Sequence, residues 1–203
     1  MIKGIDVSAW QGTIDWKKVK GSGIEAVVIK AGGSDDGLYT DSKWEQNYKE
    51  AKAAGLHVGA YYFVGEKCIT KADGEADARR FLNMLKGKQL DFPVYIDVEA
   101  TSPSDKAGAT EAVVAFLELL EKAGYFAGIY ASEVSGFRDR LDDSKLKNYS
   151  HWVAWYGDDE PAIDYGGWQY SSEGRVNGID GYVDLDKFFD FSDTIISGGF
   201  NGY

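Results

Sequence analysis

The strand-like runs of this chain are spaced in two ways, and that difference constrains the fold more than any other feature. Apolar runs of strand character begin near Ile2, Glu25, His57, Phe92, Tyr125, His151, Gly167 and Tyr182. The early gaps carry helical periodicity. Trp44, Tyr48 and Ala51 share one helical face, while Ala78, Phe81, Leu82 and Leu85, then Val113, Phe116, Leu117 and Leu120, form two apolar stripes. Gly55, Gly87 and Gly124 follow the last periodic residues, where a helix ends most easily in the left-handed conformation. Asp41, Thr70 and Thr110 are the expected N-caps. Shorter helices are expected at 15–20 and within 133–147. The last three runs start only about 15 residues apart, too close for a strand, a helix and two connections. The pattern predicts an α/β fold: five βα units followed by three strands without helices, closed into an irregular barrel related to the (β/α)8 type. An open doubly wound sheet is the alternative, disfavoured because no Gly-rich phosphate fingerprint follows the first strand.

With 203 residues the chain can bury a sizeable core, and no linker, repeat or low-complexity tract divides it, so one barrel domain is expected over 1–203. The Gly-rich stretch 196–203 reads as a frayed tail or, less simply, a linker to another module. Cys68 is the only cysteine, which excludes an internal disulfide and argues against a cysteine-built zinc site. Lys and Arg number 22 against 33 Asp and Glu, and the net charge of −11 argues against nucleic-acid partners. No run of 18 apolar residues exists to span a membrane, and Met1 leads straight into a strand without a secretory signal. Aromatic residues make up 14% of the chain, which suits either a ring-rich core or stacking platforms for sugar rings.

In a parallel barrel the reacting groups lie at the C-terminal strand ends. Those ends carry Asp6, Lys30, Tyr61 to Phe63, Asp97 and Glu99, Tyr130, Trp155, Gln169 to Ser172, and Asp184 with Asp186. Residues i and i+2 of a strand share a face about 6.6 Å apart, so Asp97 and Glu99 are expected to look into the mouth together. Two carboxyls buried side by side cannot both ionise cheaply, which leaves one neutral acid and one carboxylate. Glycoside hydrolysis asks for that combination. The plain alternative is a pair of solvated residues opening a loop. Other chemistries lack their parts. His57 and His151 fall at strand starts, Gly-x-Ser-x-Gly is absent, Cys68 reads as a partly buried thiol, and no calcium-loop spacing occurs. No metal or cofactor is expected.

The run Gly4-Ile5-Asp6-Val7-Ser8-Ala9-Trp10-Gln11-Gly12 with Ile14-Asp15-Trp16 resembles the opening of the glycoside hydrolase family 25 muramidases, the Chalaropsis-type lysozymes. The likeness continues in order through Ala54 to Phe63, Tyr95 to Glu99, Gly128 to Ser132, Trp152 to Tyr156, Trp168 to Ser172 and Val183 to Asp186. It implies hydrolysis of the β-1,4 bond between N-acetylmuramic acid and N-acetylglucosamine in bacterial peptidoglycan. By this resemblance Glu99 matches the general acid, Asp97 its partner carboxylate, and Asp6 and Asp184 the other two acids. Tyr62, Tyr130 and Trp155 match site-lining aromatics, and Tyr61, Phe63, Gln169 and Asp186 complete the expected substrate contacts. The sequence departs from the family pattern at Tyr61-Tyr62-Phe63, where a His is frequent, and at Asp186, where Asn is common. The resemblance also implies a monomer at the cell wall or outside the cell, through a removed leader or release of a phage lysin. A chitinase-like enzyme and an inactive glycan-binding module remain the competing readings.

Overall fold

The computed structural model describes residues 1–203. Eight strands close a barrel: β1 (Ile2–Val7), β2 (Ala26–Gly33), β4 (His57–Phe63), β5 (Val94–Asp97), β6 (Ala127–Ser132), β7 (Ser150–Ala154), β8 (Gly167–Gly174) and β9 (Val183–Phe188). A two-residue strand, β3 (Tyr39–Thr40), adds antiparallel to the end of β2. Every expected strand forms. From β1 to β8 the neighbours are parallel, but β9 is antiparallel to both β8 and β1. The closing strand therefore starts at the end of the barrel where the others finish. In the β1–β9 ladder Asp184 stands opposite Asp6, and Asp186 opposite Gly4, two pairs deeper.

Helices α1 (Trp16–Gly21), α2 (Trp44–Ala53), α3 (Lys71–Leu85) and α4 (Lys106–Lys122) follow the first four barrel strands, and a π-helical turn (Glu133–Arg138) follows β6. Thr70 caps α3 in a reciprocal box with Asp73. Gly55, Gly87 and Gly124 all take positive φ after their helices. Thr110 does not cap α4. The helix begins at Lys106, after a turn opened by Ser102 and Pro103, so Thr110 lies inside it with its hydroxyl donating to the Lys106 carbonyl.

Strand alternation sorts the core into two layers. Ile5, Val27, Ile29, Val58, Val94, Ile96, Ile129 and Val153 face outward beneath the helices, in one cluster with Phe81 and Phe116. The other parity fills the barrel with rings: Tyr61, Phe92, Tyr95, Tyr130, Trp152 and Phe188. They fit because glycine backs them. A Cβ on Gly4 would lie 2.5 Å from the Phe188 ring, and one on Gly128 would lie 2.6 Å from Tyr95. The rings plug the lower barrel and leave the upper end to polar groups.

At the bottom, α5 (Ser192–Ser197) and the residues after it dock rather than fray. Asn201, at φ 56°, is fully buried: its amide donates to the Phe92 carbonyl at 2.8 Å and its Oδ1 accepts from the Phe126 N–H at 2.7 Å. These bonds satisfy backbone groups at the entries of β5 and β6, where the ladder has not yet begun. Met1 also sits at this end, ahead of β1, so both chain ends lie at the pole opposite the mouth.

Candidate active site

At the upper end a cavity of about 300 Å³ opens between the strand tips. β1 and its following turn supply Asp6, Ser8, Trp10 and Gln11; β2 supplies Lys30; β4 supplies Tyr61 and Phe63. β5 and the residues after it bring Asp97 and Glu99, β6 Tyr130, β7 Trp152 with Tyr156 beyond it, β8 Gln169 and β9 Asp184. Four acids thus converge on one rim, two from the adjacent strands β1 and β9 and two from the end of β5 across the barrel. A larger groove of about 640 Å³ runs along β3, α2 and α3, but its Arg80 is paired with Asp77 and its Lys88 with Glu45.

Asp97 is 3% exposed, its Oδ1 has no hydrogen-bond partner, and Glu99 follows two residues on at the same mouth. Two neighbouring carboxyls resist ionising together. Burial, then the neighbouring Glu99 charge, raises Asp97 well above the usual carboxylate range, while Lys30 pulls the other way. Burial also raises Glu99, against the pull of Arg140. Arg140 is locked in place by donating to the carbonyls of Thr101 and Ser135. Lys30 has its Nζ 4.6 Å from the Phe63 ring centroid and within 6 Å of Tyr39 and Tyr61, a half-buried cation at the same mouth as the acids. Asp6 and Asp184 are raised as well, again chiefly by burial.

A polar chain organises the wall. Gln169 donates from Nε2 to Asp6 Oδ2 at 2.7 Å, and its Oε1 accepts from the hydroxyls of Tyr130 at 2.8 Å and Tyr156 at 2.6 Å. Trp10 stands at the rim, 91% exposed, on a short turn closed by reciprocal Ser8 and Gln11 bonds. The Ala9 N–H of that turn donates to Asp41 at 2.9 Å.

The structure brings together Asp6, Asp97, Glu99, Asp184, Tyr61, Phe63, Tyr130 and Gln169. It places three other expected contacts elsewhere. Tyr62 has the opposite strand parity to Tyr61 and Phe63, so it packs under the helices against Phe81 and Phe116 and donates to Asp77. Trp155 likewise faces away from Trp152, with its indole N–H bonded to the Asp159 carbonyl. Asp186 lies below the rim, fully buried, because β9 enters the barrel from above. Ser8, Trp10, Gln11, Lys30, Trp152 and Tyr156 line the cavity without having been singled out as contacts; strand parity was the available signal for Lys30 and Trp152. The histidines sit away from the mouth. His57 pairs with Asp91 and stacks on Phe92, and His151 bonds Asp143 and stacks on Phe137.

Residues 5–179 match the family model described as Glycosyl hydrolases family 25. This chain belongs to that family. Among its family 25 relatives is an autolytic lysozyme of Clostridium acetobutylicum, 38% identical over 201 residues, or 98% of this chain. The chain spans 58% of that relative's length. In solved structures the CTP1L endolysin superposes with a TM-score of 0.84 at 32% identity, covering 98% of this chain and 70% of that one. A bacterial lysozyme from Streptomyces coelicolor gives 0.79 at 28% identity, covering 97% and 95%. A barrel whose final strands lack intervening helices and whose closing strand runs antiparallel is thus the scaffold on which these acids are mounted.

Proposed function

We propose that this chain is a muramidase that hydrolyses the β-1,4 bond between N-acetylmuramic acid and N-acetylglucosamine in bacterial peptidoglycan. The observation that carries the reading is the convergence of four acids on one open mouth, Asp97 and Glu99 from the end of β5 and Asp6 and Asp184 from β1 and β9 across the barrel. Family membership and the names of the lysozyme and endolysin relatives support it. The place of action is the cell wall, and no helix is long and apolar enough to cross a membrane.

In the reaction Glu99 delivers the proton of the pair to the glycosidic oxygen as the bond to the anomeric carbon breaks, leaving Asp97 as the carboxylate. Asp97 ends β5 and Glu99 follows two residues later, so both approach the mouth from the same side rather than from opposite faces of an incoming sugar. An inverting pair instead spans a water across roughly 6.5–9.5 Å, and a direct nucleophile faces the acid across the sugar at about 5–5.5 Å. The substrate's own 2-acetamido oxygen therefore attacks the anomeric carbon. Asp97 accepts the amide N–H and balances the positive charge of the cyclic intermediate. Water then opens that ring, giving its proton to the Glu99 carboxylate and restoring the resting pair. Tyr130, Tyr156 and Gln169 hold the sugar hydroxyls, and Lys30 favours the charged form of Asp97 once Glu99 has taken the proton.

Glu99→Gln keeps the shape and removes the acid, so release of new reducing ends from purified peptidoglycan should fall about 1,000-fold with the melting curve unchanged. Near-normal release would take the acid role from Glu99. Mass spectrometry of the fragments should find the new reducing end on N-acetylmuramic acid. Faster cleavage of chitin would favour an N-acetylglucosaminidase, and binding without any new ends would favour an inactive module.

A further inference from the structure

Beneath the proposed catalytic pair lies a second pair of carboxyls, and no cation faces it. Asp186 on β9 is fully buried, and Asp6 on β1, 6% exposed, is its diagonal neighbour on the same face of the ladder, with the Asp186 charge the foremost one acting on Asp6. Both project into the barrel from adjacent antiparallel strands.

Donor arithmetic fixes where a proton must be. The Trp152 indole N–H can only donate, and it does so to Asp186 Oδ1 at 2.8 Å. Gln169 Nε2 can only donate, and it takes Asp6 Oδ2 at 2.7 Å. Asp186 Oδ2 is left buried with no donor of its own. Asp184 and Asp97 add negative charge to Asp6, the phenols of Tyr61 and Tyr95 are neutral, and Lys30 at the mouth acts on Asp97 and Glu99. An ionised pair here would have an orphaned oxygen and two uncompensated charges, a cost of several kcal/mol per ion.

We propose that Asp186 is a positioning residue: its carboxyl shares a single proton with Asp6, which keeps the floor of the mouth at one negative charge and fixes Asp6 Oδ2 as the acceptor that orients Gln169. With Gln169 held in that sense, its Oε1 can only face Tyr130 and Tyr156, so the proton below determines which hydrogen bonds the wall offers above. An Asn at this position would donate its own N–H to Asp6 and need no proton. The Asp at 186 makes the floor titratable where an amide would not.

The inference rests on the muramidase reading only in its kinetic arm, so its main test needs no substrate. Asp186→Asn should leave the net charge of the folded protein unchanged at pH 6–7 by capillary electrophoresis, because one carboxylate and one proton disappear together. Asp158→Asn, an exposed control, should move it by one full charge. Asp6→Asn, read for charge alone, should behave as Asp186→Asn does and serves if that variant does not fold. In the kinetic arm, the alkaline limb of the wild-type pH profile should fall with the loss of two protons, from Glu99 and from the lower pair, and that of Asp186→Asn with one. A full unit of charge shift in Asp186→Asn, or in Asp6→Asn where only that variant folds, overturns the proposal whatever the activity. An unchanged electrophoretic charge with no lysis in either protein would leave the proton pair standing and remove the muramidase reading instead.

Discussion

A single residue shows how exposure and rigidity combine at the rim. Trp10 offers nearly its whole indole to solvent, yet the turn beneath it is tied at Ser8, at Gln11 and, through Ala9, at Asp41. A ring held still and wet is suited to the apolar C–H face of a sugar, because little side-chain freedom is lost on contact. Trp10→Ala should raise KM for soluble wall glycans about fivefold, equivalent to roughly 1 kcal/mol, with kcat within twofold. Equal KM values for the two proteins would show that no sugar rests there. Tyr62 makes the opposite case. Its neighbours in the chain face the cavity, and one step of strand parity is enough to turn a presumed sugar contact into a core side chain.

Among the elements, strand spacing was legible because it depends only on local periodicity, and it yielded all eight barrel strands. The acids of the mouth were legible for the same reason: strand ends in a closed parallel barrel converge whatever fills the space between. Direction was not. Nothing in Tyr182 to Phe188 marks β9 as antiparallel, so Asp184 and Asp186 read as equals at one rim, whereas the ladder with β1 puts one at the mouth and the other beneath. Facing was also hidden at Trp155, since a five-residue strand rich in apolar side chains on both sides has no alternation to read.

The strand entries carry their own electrostatic tie. Burial works against the Asp91 charge, but bonds from His57, the Val58 N–H and Lys52 hold its carboxyl down at about 2. A depressed carboxylate contributes stability above its ordinary value near 3.8, and that contribution is lost as pH falls through 2. His57 is raised by the same contact, so its share is present below its ordinary value near 6.5 and fades as pH rises through the raised one. Asp91→Asn should therefore cost roughly 2 kcal/mol at pH 5–6 in urea unfolding, with the deficit closing towards pH 2. A deficit independent of pH would mean packing, not charge, holds this corner.

At the scale of the whole molecule, charge and site pull in different directions. On the muramidase reading proposed above, a net charge of −11 would meet a bacterial wall that carries anionic polymers of its own, so long-range forces should slow approach at low salt. Lysis of intact walls should speed up as ionic strength rises from about 0.01 to 0.15 M, where the screening length falls from about 30 to 8 Å. Rates that drop steeply with added salt would require a local cationic surface to dominate the encounter.

Asn201 and the first residue of β1 fasten the two termini to the floor, which gives the molecule a handle side and a working side. A peptide tether, a dye or a solid support joined at Met1 or Tyr203 should leave the acid-lined mouth free. Anchored by either end, the molecule would present that mouth outward to whatever lies across it.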